Sequence, residues 1–401
     1  MIIQGDLRLT GGSFQHDALA SERIEGLELR AWGGVEVRRR AGWPCPRALR
    51  SGPVVARATG GVTGWPRAPV VDLDVRVEPV PCADAVAQVP AAFIGPYRRV
   101  SLEGTFSLRI KARIPTKDPK GLRFDATGIS DGGCRVAALR AEEAGWPAVE
   151  GASALDDVGW LDEPFVLPVR EGTSEGTVIR VGPGTPEFVP LAELPPYVGA
   201  VAYLSEEMGF YTGTGISLPL ITKAIATNLE KGRFAYGGST VTQQLVKNLF
   251  LSRTKTLARK FQEAIVSARI AETITKDRVL ELYLNCIEFG PDVYGIGPAA
   301  THYFQKDARE LTPLEATFLA MLKPAPRRGG WYVRQGRTPK MPYWDQRSRD
   351  LLVRLADRGL VAPDEADRAA PYILRWDADG RYLGADPGVD PPNTWDAVIE
   401  P

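Results

Sequence analysis

Gly237-Gly238-Ser239-Thr240-Val241-Thr242-Gln243-Gln244-Leu245-Val246-Lys247-Asn248 runs from a glycine pair through hydroxyl side chains into a segment of helical periodicity. The spacing predicts a helix with hydroxyls and free backbone N–H groups at its N-terminus and a lysine two turns further on. Because a helix N-terminus attracts negative charge, this is either a cradle for an anion or sugar or a plain N-cap. It is not a Walker phosphate loop, for the G-x-x-x-x-G-K-[ST] spacing is absent. Upstream, Ser205-Glu206-Glu207-Met208-Gly209-Phe210 sets adjacent carboxylates beside apolar groups, ahead of Gly213 and Gly215. A carboxylate half-sheltered in this way suits general acid or base work, and its plain alternative is an acidic helix end. Downstream, eight basic residues stand against three acidic ones between Lys247 and Arg278. Such a patch suits a diphosphate or anionic headgroups, or is a solvated helix face with Arg259 and Glu263 paired at i,i+4.

Further out, the helical pattern holds from about Pro196. Thr312-Pro313-Leu314-Glu315 reads as a capping box with proline at the first helical position, and Leu351, Leu352 and Leu355 mark an amphipathic helix stopping near Gly359. Towards the N-terminus the period changes to two. Val71 to Val77 and Phe106 to Ile114 alternate apolar and charged residues, and Leu27 to Ala31 and Val35 to Arg38 repeat the pattern. Gly33-Gly34 and Gly60-Gly61 are read as breaks between strands. The fold class expected is an α+β chain of two domains: an antiparallel β-rich domain over 1–130, a loop and strand connector over 131–195, a mostly α-helical domain over 196–375 and a tail over 376–401.

The 401 residues are 44% hydrophobic and 24% charged, with 49 basic residues balancing 49 acidic ones. That balance argues against a disordered chain, a multi-span membrane protein and nucleic acid as partner. The cysteines Cys45, Cys82, Cys134 and Cys286 are scattered, so no zinc site is expected by spacing, and the first three are left open between a disulfide and buried thiols. The sequence has no export signal and no apolar run of membrane-spanning length. It requires no cofactor and is compatible with a divalent cation.

Taken in order, these segments resemble the glycosyltransferase domain of the peptidoglycan polymerases, glycosyltransferase family 51. The family's Glu-Asp-x-x-Phe motif is similar to Glu206-Glu207-Met208-Gly209-Phe210, and its second motif stands complete at Gly237 to Asn248. The third is Arg259-Lys260-Phe261-Gln262-Glu263, the fourth Leu280-Glu281-Leu282-Tyr283-Leu284-Asn285 with Phe289-Gly290, and the fifth resembles Gly295 to Lys306. There are departures as well: Glu207 stands where the family usually has Asp, Gly213 where it commonly has His, and Lys255 where Arg is frequent. No room remains after residue 375 for a transpeptidase, so the resemblance is to the monofunctional transglycosylases.

The resemblance implies a lysozyme-like helical fold with a membrane-dipping jaw, and the amphipathic Leu218, Leu220, Ile221, Ile225 and Leu229 either dip into lipid there or pack as core, which their spacing fits equally. It implies inverting polymerisation of lipid II into β-1,4 glycan with release of polyprenyl diphosphate. Glu206 would be the general base for the acceptor hydroxyl and Glu263 the donor-side carboxylate. Lys247, Arg259 and Lys255 would hold the diphosphate, and Gly238, Ser239, Thr240, Gln243, Gln244, Asn248 and Lys260 would shape the binding cleft. Implied partners are lipid II, the growing glycan strand and transpeptidase or envelope proteins. The implied location is the extracytoplasmic face of the cytoplasmic membrane, and the missing anchor suggests an incomplete N-terminus, a mis-set start codon, or attachment through the jaw and another protein. Gly104 to Asp125 resembles repeats of AsmA-like envelope proteins, the alternative being an ordinary β-domain. The rival readings are a glycan-cleaving lysozyme-like enzyme, disfavoured by the basic wall, and a non-catalytic module that binds glycan or lipid.

Overall fold

The computed structural model describes residues 2–36, 47–97, 99–118, 121–128, 133–140, 158–169, 178–231, 237–251, 254–339 and 341–386. Val37, Arg38, Cys45, Arg253 and the tail from 387 onward lie outside these. An antiparallel sheet region precedes a helical domain, and the chain divides into two compact units. One comprises residues 1–160 and 211–276; the other comprises 161–210 and 277–401.

In the first unit, alternating residues build an eight-stranded antiparallel sheet. Its strands are β1 (Ile2–Phe14), β2 (Ile24–Glu36), β3 (Arg47–Ser51), β4 (Val54–Thr63), β5 (Val70–Pro81), β6 (Arg99–Pro115), β7 (Arg123–Thr127) and β8 (Cys134–Arg140). β1 to β7 follow one another in order, and β8 pairs with the first half of β6. The register sorts the side chains by character, since residues directly opposite share a face. Leu7, Ala31, Leu49, Ala56, Val77 and Leu108 form one cross-strand row, and Gly60, Leu73, Ala112 and Phe124 form another on the same face. The opposite face carries cross-strand ion pairs, among them Arg30–Asp6 at 2.6 Å, Arg109–Asp74 at 2.6 Å and Arg113–Asp72 at 2.9 Å. The Arg109 hydrogen bond holds the Asp74 carboxyl down to about 2.

Two glycine pairs correct the sequence reading. Gly33-Gly34 lies inside β2 and Gly60-Gly61 inside β4, so neither separates strands. At Gly60 the reason is close backbone approach, for a Cβ there would stand 2.2 Å from the Asp72 carbonyl of β5.

Two short helices, α1 (Cys82–Val86) and α2 (Ala91–Ile94), connect β5 to β6. Cys82 is joined to Cys134 by a disulfide across a sequence separation of 52. This settles the pairing left open by the sequence. For a loop of 52 residues the chain-entropy effect is about 4 kcal/mol. The paired substitution Cys82→Ser with Cys134→Ser should therefore lower the unfolding free energy of this unit by about 2–4 kcal/mol, read from urea unfolding of the two forms.

The same unit holds α4 (Leu218–Lys231), α5 (Val241–Phe250) and α6 (Leu257–Thr273), while α3 (Pro196–Leu204) belongs to the other. The sheet and these helices are stitched together by specific bonds. Tyr97, fully buried, donates its hydroxyl to the Phe250 carbonyl at 2.8 Å, and Gln262 Nε2 donates to the Phe93 carbonyl at 3.1 Å. The Leu257 and Ala258 N–H groups donate to the Ala18 and Leu19 carbonyls, and Arg269 reaches the Val136 carbonyl on β8. The helices carrying the second and third motifs thus share one compact unit with the β-sheet.

The second unit is built on β9 (Phe165–Pro168), β10 (Val178–Val181), α3, α7 (Lys276–Cys286), the hairpin of β11 (Glu288–Gly290) and β12 (Val293–Tyr294), α8 (Ile296–Phe304), α9 (Pro313–Leu322), α10 (Arg327–Arg334) and α11 (Pro342–Ala356). Its core is aromatic: Phe318 meets Tyr303, Phe304, Tyr332, Trp344 and Trp376 with ring centroids 5.4–6.3 Å apart. The capping box read at Thr312 and Glu315 is present on α9, and Leu351, Leu352 and Leu355 are all buried on α11.

Candidate functional site

In the first unit, Gly238 opens the approach to α5 at φ 60°, where a Cβ would stand 2.7 Å from the Leu220 carbonyl of α4. Only glycine suits that combination of left-handed backbone and contact. Thr240 caps α5. Its hydroxyl accepts from the Gln243 N–H at 3.0 Å, Gln243 Oε1 accepts from the Thr240 N–H at 3.1 Å, and the same hydroxyl donates to the Gly215 carbonyl at 2.8 Å. Thr240 and Gln243 are therefore turned inward as a buried capping box. Ser239, one residue earlier, stays half-buried and accepts a hydrogen bond from Lys260 Nζ at 2.7 Å.

That lysine leads to α6. Its N-cap Thr256 accepts from the Arg259 N–H at 3.1 Å, which starts the helix so that Arg259, Lys260 and Glu263 fall on neighbouring positions. Arg259 reaches Glu263 Oε2 at 2.6 Å, and Lys260 reaches Glu263 Oε1. The Glu263 side chain is 1% exposed. Ser239, Lys260, Glu263 and Arg259 thus form one continuous cluster in which a buried carboxylate fixes two cations. Lys247 is exposed on α5 and Lys255 is exposed ahead of α6, while Gln244 and Asn248 are half-buried.

In the second unit, Glu206 follows the end of α3, its side chain 17% exposed, with Lys323 Nζ 3.7 Å from Oε1. Lys323 closes α9 and is 3% exposed; it donates to the Ala202 carbonyl at 2.5 Å and lies 5.3 Å from the Tyr283 ring centroid. Burial pulls its ammonium down to about 8, partly offset by the Glu206 charge. Arg347 on α11 donates to the Ser205 carbonyl at 2.6 Å and so fixes the backbone next to Glu206. Glu207 is buried, with its N–H on the Tyr203 carbonyl. The two adjacent carboxylates therefore sit in different surroundings, and Glu206 is the more accessible. Among the described residues no group of three or more His, Cys, Asp or Glu side chains is placed to hold a metal ion.

A Transglycosylase family profile matches residues 175–352. Over 176 residues the chain is 38% identical to the biosynthetic peptidoglycan transglycosylase of Alcanivorax borkumensis, covering 44% of this chain and 71% of that protein. The chain belongs to the transglycosylase family. The Nitrosospira multiformis biosynthetic peptidoglycan transglycosylase is 36% identical over 173 residues, 43% of this chain and 73% of that protein. Penicillin-binding protein 1A of Aquifex aeolicus is 34% identical over 203 residues, where the chain spans 27% of its length.

Within the transglycosylase domain, the fourth and fifth motifs hold structure together. Asn285 on α7 accepts from the Val189 N–H at 2.8 Å and donates to its carbonyl at 2.9 Å, while Glu281 accepts from the Leu191 N–H at 2.8 Å. Gly295, at φ 86°, passes close under the Asn285 carbonyl, and Tyr303 donates to the Phe289 carbonyl at 2.8 Å. Lys323 and Arg347 were not singled out from the sequence. The signal available for Lys323 was a lone cation ending the apolar run of α9, ahead of Pro324.

Proposed function

We propose that this transglycosylase domain polymerises lipid II into β-1,4 glycan, with inversion at the anomeric carbon and release of polyprenyl diphosphate. The names and shared sequence of the relatives support a role in peptidoglycan synthesis. The observation that carries the chemistry is the split of roles between two carboxylates. Glu206 is partly accessible and held beside a buried lysine, as a base for the acceptor 4-hydroxyl requires. Glu263 is sealed between Arg259 and Lys260, so its task is to hold those cations where a departing diphosphate develops charge. Ser239, Lys247 and Lys255 complete the anion-binding side, Gly238, Thr240 and Gln243 set the start of α5, and half-buried Gln244 and Asn248 shape the cleft. No nucleophilic side chain is needed, since an inverting displacement forms no covalent enzyme intermediate.

The disulfide between Cys82 and Cys134 supports an oxidising compartment, and with it the extracytoplasmic face of the cytoplasmic membrane. No helix among the described residues is long and apolar enough to cross a membrane. Half-buried Leu218, Leu220, Ile221 and Ile225 on α4 are suited to contact lipid headgroups and acyl chains. A transpeptidase acting on the glycan product would be the natural partner.

Incubation of the purified chain with fluorescently labelled lipid II in liposomes tests the reading. A ladder of glycan polymer is the expected result; a folded chain that binds lipid II and yields none would overturn it in favour of a binding module. Lys323 adds a pH signature. Its proton is lost as pH rises through about 8, which removes the ion pair that positions the Glu206 carboxylate. Polymerisation should fall above that pH, and the limb near 8 should be missing from an already slower Lys323→Met variant. The stability effect runs the other way. The folded value lies below the ordinary 10.5, so burying the charged form costs stability below about pH 8, and the cost is relieved between about 8 and 10.5. Activity and urea midpoint measured across that window should therefore diverge.

A further inference from the structure

Arg259, Lys260 and Glu263 occupy one side of α6, and the stripe beside them has a different neighbour. Ala258, Gln262, Ile265 and Arg269 recur at i, i+4, i+7 and i+11, which places them in one row along the helix. The N-terminal sheet region takes hold of this row at three levels, all within one compact unit. At the first turn, Ala258 is buried with Ala20 and Ile24, against Leu19, Leu27, Ala92 and Phe93. One turn on, Gln262 Nε2 donates to the Phe93 carbonyl at 3.1 Å. Gly95, at φ 58°, leaves the slot for it, since a Cβ there would stand 2.5 Å from that nitrogen. Two turns further, Arg269 Nη1 donates to the Val136 carbonyl of β8 at 3.2 Å.

The start of α6 is gripped as well. The Leu257 N–H donates to the Ala18 carbonyl at 3.0 Å and the Ala258 N–H to the Leu19 carbonyl at 2.8 Å, both from the connection between β1 and β2. With the Arg259 N–H on the Thr256 hydroxyl, the first three helical N–H groups all have protein acceptors. A helix start so occupied offers an anion no free backbone donor, which leaves the charge to the side chains of Arg259 and Lys260. Their placement then depends on the rotation and axial position of α6. We infer that the N-terminal sheet region is a brace that fixes both, with Gln262 and Arg269 as positioning residues for the donor-side cations. This rests on the reading of Arg259 and Lys260 as the groups that hold the departing diphosphate. Apolar packing is non-directional, whereas a hydrogen bond to a fixed carbonyl specifies an orientation. Two long polar side chains reaching backbone carbonyls along one row therefore set the helix where packing alone would let it turn or slide.

The test uses the full chain carrying Gln262→Met, which keeps the length of the side chain and removes its donor. Two quantities are read per folded molecule: kcat for polymerisation of labelled lipid II, and affinity for free polyprenyl diphosphate measured by calorimetric titration. Both are expected to fall about tenfold, the scale of a small misplacement of reacting groups. In a Glu263→Gln background the cations are no longer held, so the same substitution should change neither quantity by more than about twofold. Arg269→Met, which loosens the same row from β8, should act in the same direction and serves where Gln262→Met folds poorly. Values within about twofold of the parent in the folded variants would overturn the brace and make the row ordinary packing. So would an undiminished loss in the Glu263→Gln background, because the effect would then not pass through the cation cluster. No polymer from any form, with diphosphate affinity still lowered by Gln262→Met, would sink the polymerase reading and leave the brace standing. Polymer from every form at the parent's rate and affinity would do the reverse.

Discussion

Glu206→Gln should lower the rate of glycan polymerisation by about 10²–10⁴-fold while leaving lipid II binding and the urea midpoint close to the parent values. The amide has the shape of the carboxylate but cannot accept the acceptor's 4-hydroxyl proton, so the chemical step loses its base. Arg259 and Lys260 on α6 keep their ion pairs with Glu263 in this variant. Lys323 would still donate to the Ala202 carbonyl, which keeps its buried ammonium hydrogen-bonded. Glu207→Gln is the internal control, since it removes the neighbouring carboxylate from a buried position. A Glu206→Gln variant with unchanged kcat and a raised KM would show that the residue binds substrate and takes no proton. Equal losses in both variants would point to the acidic turn as a whole.

Much of this arrangement was legible because it is local. A capping box is a four-residue pattern, and Thr312 with Glu315 forms the one its sequence announces. Helical period placed Leu351, Leu352 and Leu355 on a buried face, and i,i+4 spacing alone paired Arg259 with Glu263. What escaped reading depends on distant chain. Lys323 acquires its meaning from Glu206, Ala202 and Tyr283, none of them near it in sequence. Likewise Cys82 had more than one candidate partner, and only the pairing of β8 with β6 brings Cys134 beside the end of β5. Gly60-Gly61 resembled a break because glycine is a turn signal by propensity, whereas here the missing side chain admits a neighbouring strand's backbone. The apolar sheet face shows the limit most clearly. Alternation predicted two unlike faces, and only the structure shows how far the apolar one remains exposed.

Glu263 offers the second large effect, and one that separates holding from doing. Replacing it with Gln withdraws the charge that Arg259 and Lys260 share, and removing one partner of a buried ion pair typically costs about 3–5 kcal/mol. Here about 3 kcal/mol is expected, because the Lys260 side chain is 32% exposed and recovers part of its hydration. Were that all, each folded molecule would polymerise at the parent rate. The proposed role demands more: with the carboxylate gone, the two cations no longer share a fixed position, and preorganisation at the leaving diphosphate is lost. A further drop of about 10²–10³ in kcat per folded molecule is therefore expected, the size seen when one preorganised electrostatic group is removed. Lys260→Met should separate the parts, since it keeps the Arg259–Glu263 pair at 2.6 Å but removes the bond to Ser239. Its loss should appear mainly as weaker inhibition by free polyprenyl diphosphate. If Glu263→Gln lowers the urea midpoint and leaves kcat per folded molecule intact, the carboxylate is a structural clamp and the diphosphate is held elsewhere.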